Sequence, residues 1–190
     1  MNKTVKFIAR TAIMIALVTL LQWLGQVIGK AVPVIGPTLI TGSFVNAILV
    51  LSVIFCGVWG GVIVGCLTPV MALVIGQMGF PVLIPFIALG NAVLCVVLFL
   101  IMKLFKVEND TILSKRTIAL GVGIAGGAVI KFLYMYLILA LLILPLLGIP
   151  PKAQTLLQAN FGVMQLITAL LGGVIAVGVF LPLRKAVKPL

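Results

Sequence analysis

Apolar residues in this chain form long runs broken by short polar or proline- and glycine-bearing stretches. The pattern has neither the alternation of a half-buried strand nor the single stripe of a soluble amphipathic helix. An α-helix needs about 20 apolar residues to cross the hydrocarbon of a bilayer, and on that rule the sequence predicts six spans. They run from about Phe7 to Ile28, Ile40 to Cys56, Val62 to Gln77, Ile84 to Met102, Thr117 to Leu144, and Leu156 or Phe161 to Leu183. The expected fold is therefore all-α, a single six-helix transmembrane domain over residues 1–190.

The breaks have chemical reasons. Pro33 and Pro37 follow Gly29-Lys30 and oppose helix continuation. Gly57-Val58-Trp59-Gly60-Gly61 reads as a tight turn without any charge, and Gly79-Phe80-Pro81 ends the third run. The longest polar stretch carries Lys103, Lys106, Glu108, Asn109, Asp110, Ser114, Lys115 and Arg116, while Gly148, Pro150 and Pro151 precede the last span. The fifth run is longer than the hydrocarbon requires and is expected to tilt or bend.

Composition agrees with the pattern. Residues are 64% hydrophobic and only 8% charged, too few charges to cover a soluble surface. The formal charge of +11 would suggest nucleic acid in a soluble protein, but here the basic residues sit at segment ends, where they act as topology signals. Lys3, Lys6, Arg10, Lys103, Lys106, Lys115, Arg116, Arg184, Lys185 and Lys188 fall on one side of the six-span scheme, and Lys30 and Lys152 on the other. That asymmetry predicts a multi-pass protein of the cell membrane with both termini in the cytoplasm. The first run is too long for a signal-peptide core and lacks a cleavage site, so it reads as a span.

One charge interrupts this scheme. Lys131 lies in Val129-Ile130-Lys131-Phe132-Leu133-Tyr134, near the middle of the fifth run. An ammonium at membrane depth costs several kcal/mol unless compensated, and the only acids, Glu108 and Asp110, sit in the polar loop. Counting about 1.5 Å per residue places Asn46, Gln77, Asn91, Gln165 and Thr168 in the same outer half of the bundle. Tyr134 falls one turn beyond Lys131 on the same helical face. The inner halves, as in Val93 to Leu100 and Val174 to Leu181, are aliphatic. Amides, a hydroxyl and one ammonium gathered at one depth suit a pocket open to the outside, and the apolar inner half argues against a continuous pore. Each of these residues also has a packing role open to it, because a lone amide in a span commonly bonds a neighbouring helix and Lys131 has Asn91 or backbone carbonyls within its reach.

Small residues recur at helical spacing in Ala12-x-x-x-Ala16, Gly57-x-x-x-Gly61-x-x-x-Gly65 and Gly123-x-x-x-Gly127, which favours close helix packing. Cys56, Cys66 and Cys95 are isolated and read as packing residues, with no metal site and no disulfide framework. Enzyme chemistry is poorly supplied: there is no histidine, no pair of embedded carboxylates and no phosphate-binding loop. No cofactor is expected.

With its length, span pattern and short proline-bearing first outer loop, the chain resembles the substrate-binding S components of energy-coupling factor (ECF) type vitamin transporters. Asn46-Ala47-Ile48-Leu49, Gly65-Cys66-Leu67-Thr68-Pro69, Pro85-Phe86-Ile87-Ala88-Leu89-Gly90-Asn91 and Gln165-Leu166-Ile167-Thr168-Ala169-Leu170-Leu171-Gly172-Gly173 are similar to phrases of that family. The resemblance implies partners, namely a transmembrane coupling protein packed on Ala12 and Ala16 and two cytosolic ATPases. It also implies a lid formed by the loop from about Ala31 to Thr38, and inward delivery by toppling of the whole protein. The substrate does not follow from it. A cation without an acid points to a small anionic or electron-rich molecule bound by Lys131, Asn91, Gln165 and Asn46. An accessory membrane protein and a stand-alone facilitator are the competing classes.

Overall fold

A computed structural model describes residues 2–31, 36–105 and 113–183, with side chains given from 115 in the last segment. The acids Glu108 and Asp110, and the basic Lys106, Arg184, Lys185 and Lys188, lie outside the described residues. Helix α1 spans Lys3–Ala31 and α2 spans Pro37–Val74; a single 3-10 turn at Pro81–Leu83 leads into α3, Ile84–Leu104. Helix α4, Leu113–Leu133, continues as π-helical winding over Tyr134–Ile143 and closes with a turn at Leu144–Leu146. Helices α5, Pro151–Phe161, and α6, Val163–Leu183, follow.

The expected count of six spans is corrected. Among the described residues five helical elements are long and apolar enough to cross a membrane: Lys3–Ala31, Pro37–Val74, Pro81–Leu104, Lys115–Leu146 and Pro151–Leu183. The second and third expected runs form one hydrogen-bonded element, α2. Its single non-helical residue is Gly57, at φ 75° and ψ −177°, a conformation that L side chains oppose. The glycine turn was read from the sequence as a break between helices, but the winding resumes at once on both sides. The chain nevertheless doubles back there. Gly65 and Leu49, 16 positions apart and thus about 24 Å apart in a straight helix, lie so close that a Cβ on Gly65 would stand 3.5 Å from Leu49 Cδ2.

This folded α2 is the centre of the molecule. In its most apolar stretch 72% of residues are buried, against 22% to 33% in the other four elements, so those four form its shell. It packs on α1, α3 and α6, while α4 closes the ring between α3 and α6. The main core gathers Leu49, Val50, Val53, Val64, Leu94, Leu98, Leu120, Ala128, Ala169 and Ala176. A second core at the other end joins Leu83, Met135, Leu139, Leu144 and Phe161. Large apolar side chains such as Trp59, Leu104, Leu146 and Val174 are exposed around the rim, as a lipid-facing surface requires.

Basic residues meet at the end of the bundle where α2 turns. Arg10 Nη1 donates to Phe55 O at 3.1 Å, two residues before Gly57. Phe55 and Phe180 have ring centroids 6.1 Å apart, and the Arg116 guanidinium lies 5.3 Å from the Phe180 centroid. Arg10, Arg116 and the end of α6 therefore share one face. The cavity described next opens at the opposite end, among residues 38, 77–80 and 157–161.

Candidate functional site: a cavity around Lys131

The site is built on the partnering of Lys131. This is the largest side chain in the fully buried set, 2% exposed, and among the described residues it has no carboxylate beside it. Its Nζ donates to Asn46 Oδ1 at 2.7 Å and to Asn91 Oδ1 at 2.9 Å. An ammonium has three N–H donors, and Lys131 lines the cavity with capacity for one more acceptor.

Both amides are held so that oxygen must face the lysine. Asn46 Nδ2 donates to Gly42 O at 2.8 Å and to Thr168 Oγ1 at 3.3 Å. Thr168 Oγ1 in turn donates to Gln165 O at 3.2 Å. Asn91 Nδ2 donates to Gly65 O at 3.1 Å. That carbonyl is free because Pro69, four residues on inside α2, lacks the N–H that would close the helical bond. The sequence Gly65-Cys66-Leu67-Thr68-Pro69 thus frees a backbone acceptor at the depth where α3 presents Asn91.

A cavity of about 230 Å³ lies against this network. Lys131, Asn46, Asn91, Gln77 and Gln165 line it, joined by Gln22, Thr38, Thr41 and Asn160. Its apolar wall includes Val45, Phe80, Leu83, Ile87, Leu157 and Phe161, several of them also packed in the second core. Among the described residues no Asp or Glu lines it. At about 30 Å³ per water in the liquid, the space equals roughly eight waters, below the 300–1,000 Å³ typical of drug-sized ligand sites.

The C-terminal end of helix α5 lines the cavity through Leu157, Asn160 and Phe161 and is tied there by two hydrogen bonds. Gln158 Nε2 donates to Ala140 O at 3.2 Å in the π-helical stretch, and Gln165 Nε2 donates to Asn160 O at 3.3 Å across the break at Gly162. The α4 winding changes three residues after Lys131. Tyr134 packs on the second core and does not line the cavity, although the three-residue rule placed it on the Lys131 face. Thr168, buried at 1%, is likewise off the cavity wall and supports Asn46 from behind.

Gln22 and Thr41 were not read as site residues from the sequence, although a signal exists. Thr11, Val18, Gln22, Gly25 and Gly29 form the buried stripe of α1, spaced by seven, four, three and four. Gly25 brings α1 so near α2 that a Cβ there would stand 2.8 Å from Thr41 Oγ1. A glutamine on a glycine-bearing stripe therefore faces the bundle and not the lipid.

Ala12 and Ala16 are exposed on the neighbouring face of α1. They floor an open apolar groove of about 590 Å³ whose walls include Ile15, Leu20, Trp23 and Met71. Among the described residues no group of three or more His, Cys, Asp or Glu gathers to hold a metal ion.

A multi-pass helical bundle with a cavity at one end, where a buried lysine and amides sit among apolar walls, and an aliphatic core at the other defines a helical membrane protein. The family model described as "ECF transporter, substrate-specific component" matches residues 6–184, and the chain belongs to that family. Its general function is thus the substrate-specific part of membrane transport, and membership implies work with a coupling protein and ATPase subunits. No curated protein and no solved structure matches the chain.

Proposed function

We propose that the cavity around Lys131 is the substrate site, and that it takes a compact micronutrient with an anionic or electron-rich edge from the outer side of the membrane. The observation that carries this reading is the buried ammonium with two amide oxygens and, among the described residues, no acid beside it. Amides satisfy hydrogen bonds without neutralising charge, so an acceptor or anion in the cavity gains a charge-assisted bond, whereas a cationic ligand meets repulsion. Lys131, Asn91, Gln165, Asn46 and Gln77 are its contacts, with Thr168 supporting Asn46; Tyr134 is assigned to packing.

Both termini lie in the cytoplasm in this reading. The basic end of the bundle near Arg10 and Arg116 supports it. The coupling protein docks in the groove over Ala12 and Ala16, where small side chains allow close helix approach. Two cytosolic ATPases supply the energy, since this chain has no phosphate-binding loop. Substrate passes inward by reorientation of the whole subunit, which the aliphatic inner core favours over a channel. The lid read from Ala31 to Thr38 falls largely on residues 32–35, outside the described residues; Thr38 lines the cavity.

Native mass spectrometry of the purified chain tests the site. A small-molecule adduct of acidic or carbonyl-rich composition is the expected result. A chain that carries none, and acquires none from a panel of anionic micronutrients, refutes the reading.

A further inference from the structure

Three oxygens in the same cavity have no protein partner. They are Gln22 Oε1, Thr41 Oγ1 and Gln77 Oε1, each a buried atom on a residue that lines the space. Gln22 and Thr41 are both 3% exposed. The orientation of Gln22 is fixed, because its Nε2 donates to Thr68 O at 3.3 Å and so leaves Oε1 as the group aimed inward. Within the fold, Gly25 brings α1 close against Thr41.

A carboxamide oxygen accepts hydrogen bonds and cannot donate them. Two such oxygens in one small cavity, together with a hydroxyl that acts either way, select against a ligand that is acceptor on every edge. Such a ligand would match Lys131 and leave both glutamine oxygens buried and unsatisfied, a loss that sites of this kind turn into discrimination.

We infer that the ligand carries N–H or O–H donors for Gln22 and Gln77 in addition to the anionic or carbonyl edge received by Lys131. The class is a compact heterocycle with ring N–H groups and an acidic or carbonyl-bearing edge, in which the N–H groups are required for binding. This inference rests on the reading of the cavity as the substrate site and adds a second, independent requirement to it.

A matched set of probes separates the two requirements. Uracil-6-carboxylate has ring N–H donors and a carboxylate, its 1,3-dimethyl derivative keeps the carboxylate without donors, and uracil keeps the donors without the carboxylate. Binding is read from the ligand-dependent rise in melting midpoint of the purified full chain in detergent. In the wild type, uracil-6-carboxylate is expected to bind at least about tenfold more tightly than the dimethyl derivative. That preference should shrink to within about threefold in Gln77→Met and in Gln22→Met. Methyl bulk alone would preserve the preference in both variants, and that result overturns the inference. Dimethyl binding as tight as that of the parent probe overturns it as well. Uracil binding as tightly as uracil-6-carboxylate overturns the anionic form of the edge at Lys131, leaving a carbonyl there, and leaves the donor requirement standing. No midpoint rise with any of the three overturns both. Should Gln22→Met fail to fold, Gln77→Met alone decides, because Gln77 lies at the end of α2 beyond its last helical turn.

Discussion

Replacing Lys131 by Met removes one ammonium and keeps most of the side-chain volume, so the consequences for stability and for binding can be separated. In the folded chain the ammonium makes two bonds to amide oxygens, at 2.7 and 2.9 Å. A hydrogen bond to a charged group contributes about 1.5–3 kcal/mol, so the pair accounts for about 3–6 kcal/mol. Against this stands the desolvation of a charge that no carboxylate compensates, itself several kcal/mol. Methionine also leaves Asn46 Oδ1 and Asn91 Oδ1 without this donor, at about 1–3 kcal/mol each, so with the charge's desolvation relieved stability is expected to fall by less than about 4 kcal/mol. The site behaves differently. A ligand acceptor that takes the third N–H loses one charge-assisted bond, about 1.5–3 kcal/mol, or about 10- to 150-fold in Kd.

The assay pairs thermal unfolding of the detergent-solubilised chain with calorimetric titration of the small molecule identified as its adduct. A midpoint lowered by no more than the stated amount, with the stated loss of affinity, is the expected outcome. Two results refute the reasoning. Affinity within about twofold of wild type would show that the third donor meets nothing in the ligand. A loss of stability above about 4 kcal/mol with unchanged affinity would make the lysine an interhelical bolt.

Three further perturbations follow from the packing. In Gly172→Ala the new Cβ would stand 2.6 Å from Ser43 O and 2.7 Å from Asn46 Cβ. Overpacking of this kind costs about 1–3 kcal/mol, and because it displaces Asn46 it should lower both the melting midpoint and the ligand affinity in parallel measurements. Gly57→Ala places a Cβ at φ 75°, a strain of about 1–3 kcal/mol; the midpoint should fall while titration of the apo protein gives an unchanged Kd, since Gly57 lies at the end remote from the cavity. Ala16→Trp fills the exposed groove, and affinity pulldown should lose the coupling protein while native mass spectra keep the small-molecule adduct.

The sequence revealed depth and chemistry better than connectivity. Lys131, Asn46, Asn91, Gln77 and Gln165 were recognisable because a polar group within an apolar run is costly, and counting residues from the breaks gives its depth. Rotation about each helix axis was less legible. Tyr134 packs on the second core and not on the cavity, and spacing from Lys131 alone does not tell the two faces apart. Gln22 was overlooked because depth alone does not separate a lipid-facing from a bundle-facing amide; its place on the Gly25 and Gly29 stripe does. The span count failed at Gly57, where one residue takes up the whole change of direction and the helical hydrogen bonding resumes on each side.

The choice of asparagine over aspartate at 46 and 91 follows from the same geometry. A carboxylate at either position would give Lys131 a counter-ion, yet it would also turn an oxygen toward Gly42 O or Gly65 O, where Nδ2 now donates. Two acceptors would then face each other in a buried site, at about 1–3 kcal/mol for each unmade bond. The proline at 69 therefore does more than bend α2. By freeing the Gly65 carbonyl it demands a donor from α3; the donor is an amide, and the amide's other end can hold the ammonium without cancelling it. A helix defect on α2 thus keeps a positive charge on α4 in place and available to the cavity.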